Sequence, residues 1–286
     1  MRIILILFSI FFFNISFSQK TNHRLQKEIE PFLQSHKGVA GIFVYDLKRN
    51  RIVSINADTL FPTASMVKVP ILIGIMNKLE RGELQYHQSL TYKDSLLYAG
   101  SDILGSFKTN EKIELSKVIM LMLTTSDNTA SLWLQALAGG GSRINELMDS
   151  LGFVKTKVNS RTAGRENNRT EMGWGQTTPK EMVTLFKMIA NENLLSTTSS
   201  QQMLRLLSRN YWDEEALSEI PAGVFVASKN GAVNASRSEV VYVNGKKSRY
   251  IFCICTKNNL DNSWENSNEA WQLTKKISAL LWKTMN

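Results

Sequence analysis

Ser65-Met66-Val67-Lys68 places a hydroxyl and an amine three positions apart, Ser126-Asp127-Asn128 adds a second hydroxyl, and Lys229-Asn230-Gly231 adds a second amine beside a glycine. A serine hydroxyl is a weak nucleophile until a base takes its proton. On a helical turn, residues i and i+3 share a face, so Ser65 and Lys68 can touch. A free lysine titrates near roughly 10.4 and is protonated at neutral pH. Burial and a second nearby cation would both disfavour its charge. Lys68 is therefore the expected base for Ser65, provided that it is buried and that a strand brings Lys229 up beside it. Each pattern has an ordinary reading as well. Ser-x-x-Lys also marks a helix start with a solvated lysine, Ser-Asp-Asn before an apolar helix is a cap, and Lys-Asn-Gly is a tight turn.

The elements that must position these groups are legible around them. Phe61-Pro62-Thr63-Ala64 leads into Ser65 and an apolar run from Val69 to Met76 follows, which predicts the first turn of a buried helix. Its N-terminus supplies unpaired N–H groups and positive potential beside the hydroxyl. Helices are predicted over 69–79, 115–123, 128–137 (stopped by Gly139-Gly140-Gly141), 142–151, 180–190 (Thr178 as N-cap, Pro179 in the first turn) and 269–283. An amphipathic segment covers 25–33. Strands are predicted at 38–46 and 51–55 as a hairpin, then at 224–227, 239–243 and 249–256, the last two joined by Asn244-Gly245. Residues 155–178 are polar and almost without periodicity, and so long an irregular segment in a compact protein is usually functional. Strands near both termini with helices between them predict one antiparallel sheet made from the two ends. The expected fold is an α/β sandwich, 19–61 and 180–286, with an inserted all-α domain, 62–179, that includes the irregular loop 155–178.

The three motifs, in this order, resemble the Ser-x-x-Lys, Ser-Asp-Asn and Lys-Thr-Gly signatures of the penicillin-recognising serine hydrolases, in particular the class A β-lactamases. Ser65 to Ser126 is 61 residues and Ser126 to Lys229 is 103, close to the family's separations, and the resemblance runs from about Gly38 to the C-terminus. Asn230 departs from it, standing where Thr or Ser is common. The resemblance implies the same α/β-plus-helical architecture, with the catalytic groove at the junction. It also implies Ser65 as acylated nucleophile and Ser126 as proton shuttle to the leaving nitrogen, with Asp127 turned inward as a structural group. Asn128, Lys229, Gly231 and Ala232 would bind substrate, the N–H of Ala232 and that of Ser65 forming the oxyanion hole. Arg237 would hold a substrate carboxylate. Tyr98 is a candidate groove residue or a core aromatic.

Deacylation departs from the family pattern. Counting from Leu151-Gly152 sets Arg161-Thr162-Ala163 over the family's Arg-x-Glu, with alanine where the water-activating base belongs. Glu166 and Glu171 both lie in the loop. Arg169-Thr170-Glu171 keeps the spacing, although Gly175 stands where the pattern has Asn. Each glutamate is a candidate base, and for each the alternative is a solvated loop charge. Three functions therefore stay open: a β-lactamase, a peptidase acting on peptidoglycan stems, and a slow-turnover penicillin-binding sensor module.

Residues 3–19 carry no charge, and Ile3 to Phe13 is almost wholly apolar before the more polar Asn14 to Ser18. That reads as a secretory signal at 1–18, with an uncleaved anchor as the alternative. A secreted or periplasmic monomer, off the membrane once the signal is cleaved, is the expectation. With 34 Lys and Arg against 25 Asp and Glu, the formal charge is +9. The excess is dispersed and no aromatic-basic motif interrupts it, so nucleic acid is not an expected partner. A small β-lactam or peptidoglycan-like substrate is. The two cysteines, Cys253 and Cys255, are i, i+2 neighbours on a strand, poorly placed to bridge. With three scattered histidines, no metal site or cofactor is expected.

Overall fold

A computed structural model describes residues 19–100 and 102–286; the predicted signal at 1–18 lies outside the described residues. The chain runs through strand β1 (Lys20–Thr21), helix α1 (His23–Ser35), β2 (Val39–Asp46), β3 (Arg51–Ile55) and β4 (Phe61–Pro62) to a 3-10 turn at Ala64–Val67. Helix α2 (Lys68–Glu80), β5 (Ser89–Thr91), β6 (Lys112–Glu114), α3 (Leu115–Thr124), α4 (Asn128–Leu137) and α5 (Gly140–Ser150) follow. Then come β7 (Lys157–Val158), α6 (Glu166–Met172), β8 (Gly175–Thr177), α7 (Pro179–Ala190) and α8 (Thr197–Leu207). Strands β9 (Phe225–Val233), β10 (Ser236–Asn244) and β11 (Arg249–Lys257) and helix α9 (Glu269–Met285) complete it.

The main sheet has the order β1-β3-β2-β11-β10-β9, so both ends of the chain build it. All its pairings are antiparallel except that of β1 with β3. Alternation along the strands explains the layers, since successive side chains point to opposite faces. Ile42, Val44, Val241, Val243, Phe252 and Ile254 face α1 and α9, whereas Phe43, Tyr45, Val240, Tyr242 and Ile251 join the helical side. Both faces are buried, which is why these strands read as apolar runs. Cys253 and Cys255 lie on the helical side, buried and unbridged, with sulfurs 3.6 Å apart.

Helix α2 is buried all round from Lys68 to Met76. It packs against α3, α4, α5 and α8. Each fully buried Ile, Leu or Val contributes about 1.5–3 kcal/mol. Ile71, Leu72, Ile73 and Ile75 together therefore offset the several kcal/mol that it costs to hold an amine such as Lys68 in the interior.

Several sequence expectations need correction. The segment 155–178 is not irregular throughout: β8 pairs with β4 and β7, and α6 lies between β7 and β8. Glu166 to Met172 has one apolar residue, so no periodicity announced its helix. Helix α5 already starts at Gly140, not Ser142, and the left-handed break spans Gly139, φ 97°, and Gly140, φ 85°. Asn244-Gly245 is not a two-residue turn, because Asn244 pairs with Arg249 and Gly245 N–H reaches Ser248 O across a four-residue connection. Among the described residues, no helix is long and apolar enough to cross a membrane, and no cluster of His, Cys, Asp and Glu is placed to hold a metal.

Candidate active site

Ser65 lies on the 3-10 turn that feeds α2 and is half-buried, while Lys68, the first residue of α2, has no exposed surface. The turn starts at Ala64 with φ 43°, a left-handed conformation that is strained for an alanine. Lys68 Nζ lies 3.0 Å from Ser65 Oγ, 2.9 Å from Ser126 Oγ, 2.6 Å from Ser126 O and 3.1 Å from Asn128 Oδ1. A neutral amine has two N–H donors and one lone pair. The Ser126 carbonyl and Asn128 Oδ1 can only accept, so they take the two donors. The lone pair is then left for a hydroxyl, and Ser65 is in position to give its proton there. Burial, and next the charge of Lys229, hold Lys68 well below the usual lysine range, against an opposing pull from Asp127.

Ser126 contributes both its Oγ and its carbonyl because its backbone is left-handed, φ 62°. Asp127, not Ser126, caps α4: its Oδ1 accepts the Ala130 N–H at 2.7 Å. Its Oδ2 accepts the N–H groups of Ile103 at 2.5 Å and Leu104 at 3.0 Å, tying the 98–107 segment to the Ser126 turn. Asp127→Ala leaves the two buried donors of Leu104 and Ala130 and the part-buried one of Ile103 unpaired and is expected to cost about 2–4 kcal/mol, read as a shift of the urea midpoint. A midpoint within experimental error of the parent's would remove this structural role.

Strand β9 closes the other side. A Cβ built on Gly231 would lie 2.5 Å from Thr63 O and 2.7 Å from Ser65 N, so only glycine lets β9 come this close to the nucleophile turn. Ser238 Oγ donates to Thr63 O at 3.1 Å and fixes the same approach from β10. Lys229 is fully buried, but its Nζ donates to Asn230 O at 3.0 Å and Asn230 Oδ1 at 3.2 Å rather than to Ser65. Burial pushes Lys229 down to about 8, against the charges of Glu239 and Glu215.

Ser65, Ser126, Asn128, Gly231, Ala232 and Arg237 all line one cavity of about 550 Å³. Arg237 is nonetheless committed elsewhere. Its Nη1 donates to Asn234 O and Ser236 O, and its Nη2 to Ser263 O, at 2.8–2.9 Å, with the guanidinium against Trp264 and Trp271. Backbone carbonyls thus take the two terminal nitrogens of the fork expected to clasp a substrate carboxylate, while Arg237 Nε is buried without a partner. Glu166 and Glu171 do not line this cavity. Glu166 is exposed, with Oε1 accepting the Gly164 N–H at 3.1 Å, and Glu171 borders a separate depression with Arg169, Asn234 and Lys257. The structure thus brings neither candidate base to Ser65. Tyr98 is set edge-on against Trp174, ring centroids 5.0 Å apart, away from the cavity wall.

The sequence reading missed Trp212, Glu215 and Glu239, which also line the cavity. Glu239 carried a usable signal: a lone carboxylate in Ser238-Glu239-Val240-Val241-Tyr242-Val243, on the same face as Val241 and Val243, must point inward. Trp212 and Glu215 lie in the 208–224 segment, mostly without regular structure, and had none.

A serine on a helix-entry turn, beside a buried lysine and a second serine between a sheet edge and a helical layer, is the arrangement of the penicillin-recognising serine hydrolases. A model of the Beta-lactamase enzyme family matches residues 24–285, and the chain belongs to that family as a hydrolase of the class A β-lactamase type. It is similar to β-lactamase VEB-1 of Pseudomonas aeruginosa, 23% identical over 80% of this chain and 78% of that protein. It is also similar to the extended-spectrum β-lactamase PER-1 of the same organism, at 21% over 77% and 73%. Among solved structures, a PBP-A variant held as an acyl-enzyme complex with penicillin G superposes with a TM-score of 0.83 at 22% identity, covering 93% of this chain and 97% of that one.

Proposed function

We propose that the protein opens the amide of β-lactams by forming an acyl-enzyme on Ser65. Lys68 takes the Ser65 proton, and Ser65 Oγ attacks the carbonyl carbon. The developing oxyanion sits between the N–H groups of Ser65 and Ala232, and Ser126 Oγ passes the proton from Lys68 to the leaving nitrogen. The observation that carries this reading is the position of the fully buried Lys68 amine, its Nζ 3.0 Å from one hydroxyl and 2.9 Å from the other. That a PBP-A variant carries penicillin G as an acyl-enzyme on the same fold supports it. Export, with residues 1–18 as a signal, and a groove between the sheet-bearing part, 19–61 and 180–286, and the helical part, 62–179, belong to the same proposal.

A peptidase of peptidoglycan stems is the second reading. It is favoured by the absence of Glu166 and Glu171 from the cavity wall, since such an enzyme acylates by the same machinery and can be slow to release a β-lactam. The test is to mix the purified protein with a chromogenic cephalosporin and with benzylpenicillin, follow ring opening, and weigh the intact protein. Rapid opening without a lasting adduct supports the β-lactamase; a lasting adduct supports the peptidase. Neither opening nor adduct removes both. Glu171→Gln is expected to leave turnover unchanged, and a trapped adduct in that variant would restore Glu171 as the base.

A further inference from the structure

Arg237 and Glu239 are alternate residues of β10, so their side chains leave the sheet on one face, that of Val241 and Val243 towards α9. Both line the cavity that holds Ser65, and both are buried. An ionised Glu239 would draw the neighbouring guanidinium to itself. Instead Arg237 Nη1 and Nη2 donate to the carbonyls of Asn234, Ser236 and Ser263, and neither Arg237 Nε nor Glu239 Oε1 has a hydrogen-bond partner in the protein. Glu239 Oε2 accepts the Ala216 N–H at 3.1 Å, in a segment that Ser278 on α9 fixes by donating to Ala216 O at 2.6 Å. With Oε2 occupied as an acceptor, a proton on this carboxyl sits on Oε1. Across the ladder Asn230 is spent, its Oδ1 on Lys229 and its Nδ2 towards Glu215.

We propose that Glu239 binds the carboxylate of the substrate as a carboxylic acid, giving its Oε1–H to a carboxylate oxygen beside the Arg237 Nε–H. A protonated glutamate has one O–H donor, and a carboxylate has lone pairs for several. The O–H···O⁻ bond is charge-assisted, and a neutral acid adds no repulsion. Two buried donors in one cavity wall, without an acceptor in the protein, are costly until a ligand supplies one. The titratable groups around Glu239 are Lys229 on β9, Glu214 and Glu215 on the 208–224 segment, Arg237 on its own strand, Cys253 on β11 and, beyond Glu215, Lys275 on α9. Burial, and next the Glu215 charge, push Glu239 up to about 8, against the Ala216 N–H and the charge of Lys229. The donor is therefore present below that pH and lost as the pH rises through it, and an arriving carboxylate holds the proton more firmly. Buried sites use a carboxyl kept neutral in this way as a donor.

This role rests on acylation at Ser65, and the experiment separates the two. The rate of Ser65 adduct formation is measured by intact mass with benzylpenicillin and with its neutral methyl ester, at about pH 6.5 and about pH 9.5, on either side of the Glu239 titration. The ratio of the two rates is the carboxylate preference, from which the Lys68 titration cancels. At the lower pH the parent is expected to prefer the carboxylate by at least about tenfold, Glu239→Leu to lose about tenfold of that, and Glu239→Gln to stay within about threefold of the parent, since its amide N–H donates in the same place. At the higher pH the parent, now ionised at Glu239, is expected to fall about tenfold below Glu239→Gln. Lys229 also titrates at about 8, but an ionised Glu239 keeps it charged, so Lys229 alone would make the variant lose its preference first. A parent without carboxylate preference at the lower pH overturns the role of Glu239, as does a leucine variant that keeps the full preference. So does a preference that falls in Glu239→Gln together with the parent or ahead of it, a comparison that decides alone should the leucine variant not fold. Ester adducts without these effects leave acylation standing. No adduct with either compound withdraws acylation itself, and the role of Glu239 with it.

Discussion

Lys68→Met is expected to slow acylation of Ser65 by about 10²–10⁴-fold, the range that a positioned general base contributes. Methionine keeps the length and fills the buried channel without an ionisable group, so the change isolates proton transfer from packing. The pH profile carries a second signature. Lys68 acts as base only when neutral, and it is held well below the usual lysine range by burial and by Lys229. Acylation by the parent protein should therefore fall as the pH is lowered through the Lys68 titration, and the variant should lack that limb. Lys229, pushed down to about 8, retains its charge below that pH and thereby helps to keep Lys68 neutral. A methionine variant with the parent's rate and profile would place the base elsewhere.

Gly231→Ala is expected to reduce acylation by about 10²–10³-fold, the cost of misplacing one oxyanion donor. The added methyl would fall 2.5 Å from Thr63 O and 2.7 Å from Ser65 N. Both are backbone atoms and neither can swing aside, so β9 or the nucleophile turn must shift by several tenths of an ångström. The loss should appear in the rate of adduct formation while the protein stays folded, because the strain is local to the groove. Unchanged acylation would mean that the Ala232 N–H and the Ser65 N–H do not act together.

Legibility differs from element to element. The strands of the main sheet were legible wherever both faces are buried, as in Tyr250 to Thr256, since a short apolar run bounded by polar turns fits a strand covered on both sides. Helix α6 and strands β4, β7 and β8 were not, because they are held by the polar bonds of Arg165, Asn159 and Gln176 and not by apolar periodicity. Ser126 was ambiguous between cap and chemistry, and the structure gives the cap to Asp127.

That Ser65 and Lys68 share a helical turn follows from the order of residues alone, because three-residue spacing and the apolar run after it are local properties. The alternation of the strands, and the glycine that admits a close neighbour, are local in the same sense. The lowered proton affinity of Lys68 is not local: Ser126 and Asn128, 58 and 60 positions away, and the charge of Lys229 are brought beside it only by the folded chain. The register of β9 against β10 is likewise a product of the whole fold, setting Glu239 across from Asn230 and turning Arg237 into backbone carbonyls. A shift of one residue would have exchanged every one of these side chains between the two faces, and only the packing of the entire sheet selects the register.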